Sequence, residues 1–116
     1  MPEDRRGLRF LLDASAEIAP QDSPNATVAA RATELSLRGG YFKLASPFPL
    51  ETRVLVKIFH ENEYFEAKGN VVHVTPASGM GVAFREIKPH CKNALQKWIL
   101  SALHNHNTEE EETSAW

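Results

Sequence analysis

From Arg53 to Val71 the chain alternates apolar and polar residues with a period of two, broken only at Glu61-Asn62. Val54, Val56 and Ile58 share one phase, with Arg53, Leu55 and Lys57 in the other. Past the break, Phe65, Ala67, Gly69 and Val71 stand against Glu66, Lys68 and Asn70. Successive strand side chains point to opposite faces, so each run makes a strand with one apolar face, and the short break closes a hairpin. Such a pair buries its apolar face only by packing on further strands or on a helix. The same alternation predicts strands at about 13–19, 28–36, 40–45, 52–60, 63–74 and 80–85. Between them lie Pro20-Gln21-Asp22-Ser23-Pro24-Asn25, Ser46-Pro47-Phe48-Pro49 and Thr75 to Gly79, all turn or connection chemistry. An all-β antiparallel barrel or sandwich is expected. At His73 the inward phase meets a polar residue while Val72 and Val74 point out, which calls for a bulge or a covered outer face.

After Pro89 the period becomes helical. Cys91, Leu95, Trp98 and Ala102 form one stripe, widened by Ala94, Ile99 and Leu103, with Lys88, Lys92, Lys97 and Ser101 opposite. Pro89 suits a helix start, where its missing N–H costs nothing. The expected organisation is a flexible arm at 1–9, a barrel with its C-terminal helix at 10–104, and a disordered acidic tail at 105–116.

At 116 residues the chain has room for a single core. Glu109 to Glu112 hold four of its fifteen acidic residues, so residues 1–108 carry thirteen bases against eleven acids, a net of +2. That is too little for a general nucleic-acid binder, so a nucleic-acid polymer is not the expected partner, but a local anion site is permitted. No stretch is long and apolar enough to span a membrane. Leu8 to Leu12 is too short for a signal sequence and is followed by Asp13 and Glu17, so a cytoplasmic location is expected. The single Cys91 fits a reducing compartment.

Catalytic candidates are weak. Cys91 falls on the apolar helical stripe and reads as an inert buried thiol. Glu61, Glu63 and Glu66 cluster at a hairpin and read as solvated charge. His104 and His106 have no third ligand at a useful spacing, so no metal site is expected. No nucleophile, base and orienting group assemble; neither an enzyme nor a cofactor is expected. Tyr41 and Tyr64 are the aromatics that fit the core phases least, and could stand exposed.

Two further segments stand out. Arg5, Arg6 and Arg9 form a basic cluster around Gly7, directly before the first strand. In Glu34-Leu35-Ser36-Leu37-Arg38-Gly39-Gly40, the glycines suit a turn with positive φ. Glu34, Ser36 and Arg38 alternate onto one face, away from the core side of Leu35 and Leu37.

In their order and separation, Arg5-x-x-x-Arg9 and Glu34-x-Ser36-x-x-Gly39 resemble the two-part signature of PilZ domains, R-x-x-x-R followed by D/N-x-S-x-x-G. The strands around Gly69-Asn70-Val71-Val72 and Gly79 to Phe84 and the closing helix extend the resemblance over residues 5–103. It implies a six-stranded antiparallel β-barrel of the split-barrel type with one C-terminal α-helix. It also implies binding of cyclic di-GMP, a bacterial second messenger, and relay of the signal to a downstream protein. By this resemblance Arg5 and Arg9 would hold phosphates and guanine edges, and Glu34 and Ser36 would bond a guanine. Gly39 would shape the turn, and Arg6 and Arg38 would assist. Arg suits such a role because its planar fork matches guanine O6 and N7 as well as phosphate. Position 34 is Glu where the family has Asp or Asn, which keeps the acceptor but adds a methylene. An adaptor that binds protein and little nucleotide is the alternative expectation.

Overall fold

A computed structural model describes residues 9–104 and 108–109, with side chains described for residues 11–89 and 91–101. Six strands, β1 (Arg9–Pro20), β2 (Val28–Leu35), β3 (Gly39–Lys43), β4 (Arg53–His60), β5 (Glu63–Thr75) and β6 (Gly79–Ile87), precede α1 (Pro89–His104) and a two-residue strand, β7 (Thr108–Glu109). The sheet order is β2-β3-β6-β5-β4-β1, and β1 also pairs with β2, which closes a barrel. Every pairing is antiparallel. Closure leaves the barrel strands without the free edges an open sheet would expose. Each expected strand is present, although β1 begins at Arg9 rather than at residue 13.

The core follows the two-residue phases. Val54, Val56, Ile58, Phe65 and Val71 are fully buried, together with Phe42 of β3 and Met80 and Val82 of β6. Ala14, Ala16, Ala30 and Ala32 line the β1–β2 wall, small residues facing large ones across the barrel. At His73 the register slips by one between Val71 and His73, a bulge that turns His73 outward and lets Val74 pack on the core. A second slip, between Lys68 and Gly69, leaves Arg85 as the extra residue on β6. There Gly69 is obligatory: a Cβ would stand 2.6 Å from the Ala83 carbonyl oxygen and 2.7 Å from Val82 Cγ1.

Helix α1 presents the expected stripe. Cys91, Leu95 and Trp98 are buried, and Ala94 and Ile99 pack beside them; the side chains of Ala102 and Leu103 lie outside the described residues. Trp98 meets the edge of His60 at 5.2 Å and Phe65 at 6.2 Å between ring centroids. Polar contacts fix the helix to the β4–β5 hairpin. Lys97 Nζ donates to Glu63 Oε2 at 2.6 Å, and Lys88 Nζ lies 3.2 Å from Glu66 Oε1, which also accepts from the Tyr64 hydroxyl. Glu63 and Glu66 are therefore tethers of the helix and not the solvated charge expected of them.

The Tyr64 hydrogen bond holds the Glu66 carboxyl below its ordinary value of 4.5; burial opposes this, and Lys88 adds to it. The same bond, with burial, pushes Tyr64 from 10.0 up to about 12. Stability from Glu66 is thus present above 4.5 and is lost as pH falls through the lowered folded value. Stability from Tyr64 is present below 10.0 and is lost as pH rises toward about 12. In Tyr64→Phe the decline in stability as pH falls below 4.5 should be shallower than in the wild type, as read from urea melts. An identical decline would show that Tyr64 does not set the Glu66 carboxyl.

Candidate functional site

Strands β2 and β3 are joined by a three-residue connection, Ser36-Leu37-Arg38. The Ser36 N–H donates to the Gly39 carbonyl at 2.9 Å, and the Ser36 hydroxyl accepts from the Arg38 N–H at 3.1 Å. A side-chain oxygen bonding the amide two residues on substitutes for part of a backbone turn. The hydroxyl also approaches the Gly39 carbonyl, at 3.4 Å, and Ser36 is 4% exposed. On the neighbouring strand, the Phe84 N–H donates to the Arg38 carbonyl at 2.8 Å, which pins the tip to β6. Leu37 and Arg38 project from this tip into solvent.

The glycines act differently from the expectation. Neither Gly39 nor Gly40 has positive φ; both run in β3. The Ser36 hydroxyl closes the turn without a left-handed residue, and Gly40 is needed for close approach, since a Cβ there would lie 3.0 Å from the Glu34 carbonyl and from Leu35 Cδ1. Glu34 is half-buried and opposes Leu11 on β1 and Tyr41 on β3. Leu35 is fully buried, so Glu34 takes the outer phase, as the alternation predicts. The core side expected for Leu37 is reversed, and so is the outward side expected for Ser36: Leu37 is 52% exposed and Ser36 is buried, because the strand ends at Leu35 and the alternation ends with it.

The β1–β2 register links the two motif halves. Phe10 opposes Leu35 and Leu11 opposes Glu34, so Arg9, the first residue of β1, and Ser36, which follows β2, come at the same end of the barrel. Arg9 and Phe10 also pair with Glu109 and Thr108 of β7, a strand within the tail expected to be disordered. Nothing in so short a segment signals a strand. The structure thus brings Glu34, Ser36, Arg38, Gly39 and the backbone of Arg9 to one end of the barrel. Arg5, Arg6 and the side chain of Arg9 lie outside the described residues, as do the side chains of His104 and His106. No group of three or more potential metal ligands occurs among the described residues. Cys91 is 1% exposed, in keeping with an inert thiol.

A family model for the PilZ domain matches residues 3–101. The chain belongs to the PilZ domain family. No curated protein matches it in sequence. Among solved structures, the PilZ domain of YcgR from Escherichia coli, determined with c-di-GMP, is 17% identical with a TM-score of 0.71, and the match covers 90% of this chain and 95% of that one. The Bacillus subtilis inhibitor of motility MotI/DgrA is 16% identical with a TM-score of 0.74, covering 90% of this chain and 53% of that protein. A longer YcgR in complex with c-di-GMP is 19% identical with a TM-score of 0.73, covering 90% and 48%. This PilZ domain therefore spans about half the length of the inhibitor and of the longer YcgR. At these identities the likeness establishes the fold, a closed six-stranded barrel with a C-terminal helix. No described helix is long and apolar enough to cross a membrane.

Proposed function

We propose that this PilZ domain is a receptor for cyclic di-GMP that passes the signal to a partner protein. The observation that supports this reading is the β1–β2 register, in which Phe10 opposes Leu35, so that the start of β1 and the turn after β2 share one end of the barrel although the two motifs are far apart in sequence. A carboxylate at 34, a hydroxyl at 36 and the arginines of the first nine residues would supply acceptors for guanine N–H groups and donors for its O6, N7 and the phosphates. Ligand binding would draw residues 1–9 over the Glu34 to Gly39 face, and the covered face would be what the partner reads.

Calorimetric titration with cyclic di-GMP tests this. Saturable binding is expected, weakened about 10- to 150-fold in Arg9→Ala and in Ser36→Ala, the range for losing a hydrogen bond to a charged group. Absence of binding at high micromolar ligand would overturn the receptor reading. The longer glutamate at position 34, where the family has Asp or Asn, favours a second reading, a protein adaptor that takes little nucleotide. For that reading the deciding result is a partner retained in pull-downs with both Arg9→Ala and Ser36→Ala.

A further inference from the structure

Tyr41 belongs to neither half of the motif, yet the sheet places it at the centre of the same face. It opposes Glu34 on β2 and Gly81 on β6. Its neighbours Gly40 and Phe42 are buried, so Tyr41 takes the outer phase with Glu34, and directly opposed residues on one face have Cβ atoms about 5 Å apart. The ring is half-buried because it lies down across β6. Its Cε2 and hydroxyl stand 2.9 and 2.8 Å from the point a Cβ on Gly79 would occupy. The Phe42 carbonyl oxygen stands nearer still, at 2.6 Å, so glycine at 79 serves the close β3–β6 pairing as well as the ring, and Gly81 puts no side chain beside it.

The ring thus rests over β6 with no side chain from Gly79 or Gly81 beside it, which leaves room on this face for a flat partner. The other exposed tyrosine is committed elsewhere. Tyr64 bonds Glu66 on the β4–β5 hairpin, and its ring packs with Phe59 at 5.9 Å.

We infer that Tyr41 is the stacking residue of the site: it takes the face of a purine whose edge meets Glu34 and Ser36. The inference rests on the receptor reading above. It divides recognition in two, since stacking on an aromatic ring tolerates any base whereas Glu34 and Ser36 read the base edge.

The test is titration of wild type, Tyr41→Phe and Tyr41→Leu with cyclic di-GMP, together with proton NMR of the Tyr41 ring in the wild type. Tyr41→Phe should bind within about threefold of wild type, and Tyr41→Leu about 5- to 150-fold more weakly. The Tyr41 ring resonances, assigned by their loss in Tyr41→Phe, should move upfield at saturation under the ring current of the base. A structural role alone would not move them. If the wild type binds but these resonances stay in place, or Tyr41→Leu binds as tightly as wild type, the stacking assignment is overturned. If the wild type does not bind, the receptor reading falls and this inference falls with it.

Discussion

Phe65→Ala should lower the unfolding free energy by about 3–5 kcal/mol, the cost of removing a fully buried phenyl ring and leaving its cavity. Phe65 is 0% exposed on β5, and its ring lies 5.2 Å from that of Phe84 and 6.2 Å from that of Trp98. It therefore joins the barrel wall to the helix, so truncation loosens both. Set against a total stability of about 5–15 kcal/mol for a domain of this kind, the loss would leave a substantial unfolded population. A urea melt measures it: the midpoint should fall with little change in slope. A loss below about 1 kcal/mol would mean that the core closes over the gap, against the close packing of the ring cluster.

Gly69→Val should cost about 3 kcal/mol, at the upper end for overpacking. The obstacle is a backbone carbonyl, Ala83 O at 2.6 Å from the new Cβ, and a carbonyl fixed in a ladder cannot rotate away. The β5–β6 seam must open where the register already slips beside Arg85. Phe84 lies in that seam and holds the Arg38 carbonyl at 2.8 Å, so the Ser36 turn should shift as well. Gly40→Ala meets its nearest atoms only at 3.0 Å and should cost less. Thermal melts of the two variants check the order; a Gly40→Ala protein less stable than Gly69→Val would contradict it.

Much of the barrel is legible from Val54, Val56, Ile58, Phe65, Ala67 and Val71, because a strand with one buried face must alternate and a helix cannot. The helical stripe of Cys91, Leu95 and Trp98 is legible for the same reason at its own period. Even the bulge at His73 shows as a break in phase. The roles of the glycines are not legible. Gly39 and Gly40 suggest a left-handed turn, yet the chain turns on the Ser36 hydroxyl; Gly40 is crowded by Glu34 and Leu35 across that turn, and Gly69 is required by Val82 and Ala83, distant in sequence. The tethering of Glu63 and Glu66 is hidden too, since Lys97 and Lys88 reach them only after the helix folds back onto β5.

The candidate site divides along the same line. Sequence by itself determined which groups are available, the arginines of the first segment and the Glu34-x-Ser36-x-x-Gly39 series, because residue type and strand phase are local properties. Only the tertiary structure decided that the start of β1 meets the end of β2 through Phe10 and Leu35, that Tyr41 lies between Glu34 and the glycines of β6, and that Thr108 and Glu109 pair with β1. Those neighbours are set by strand register, and register depends on how the whole barrel closes.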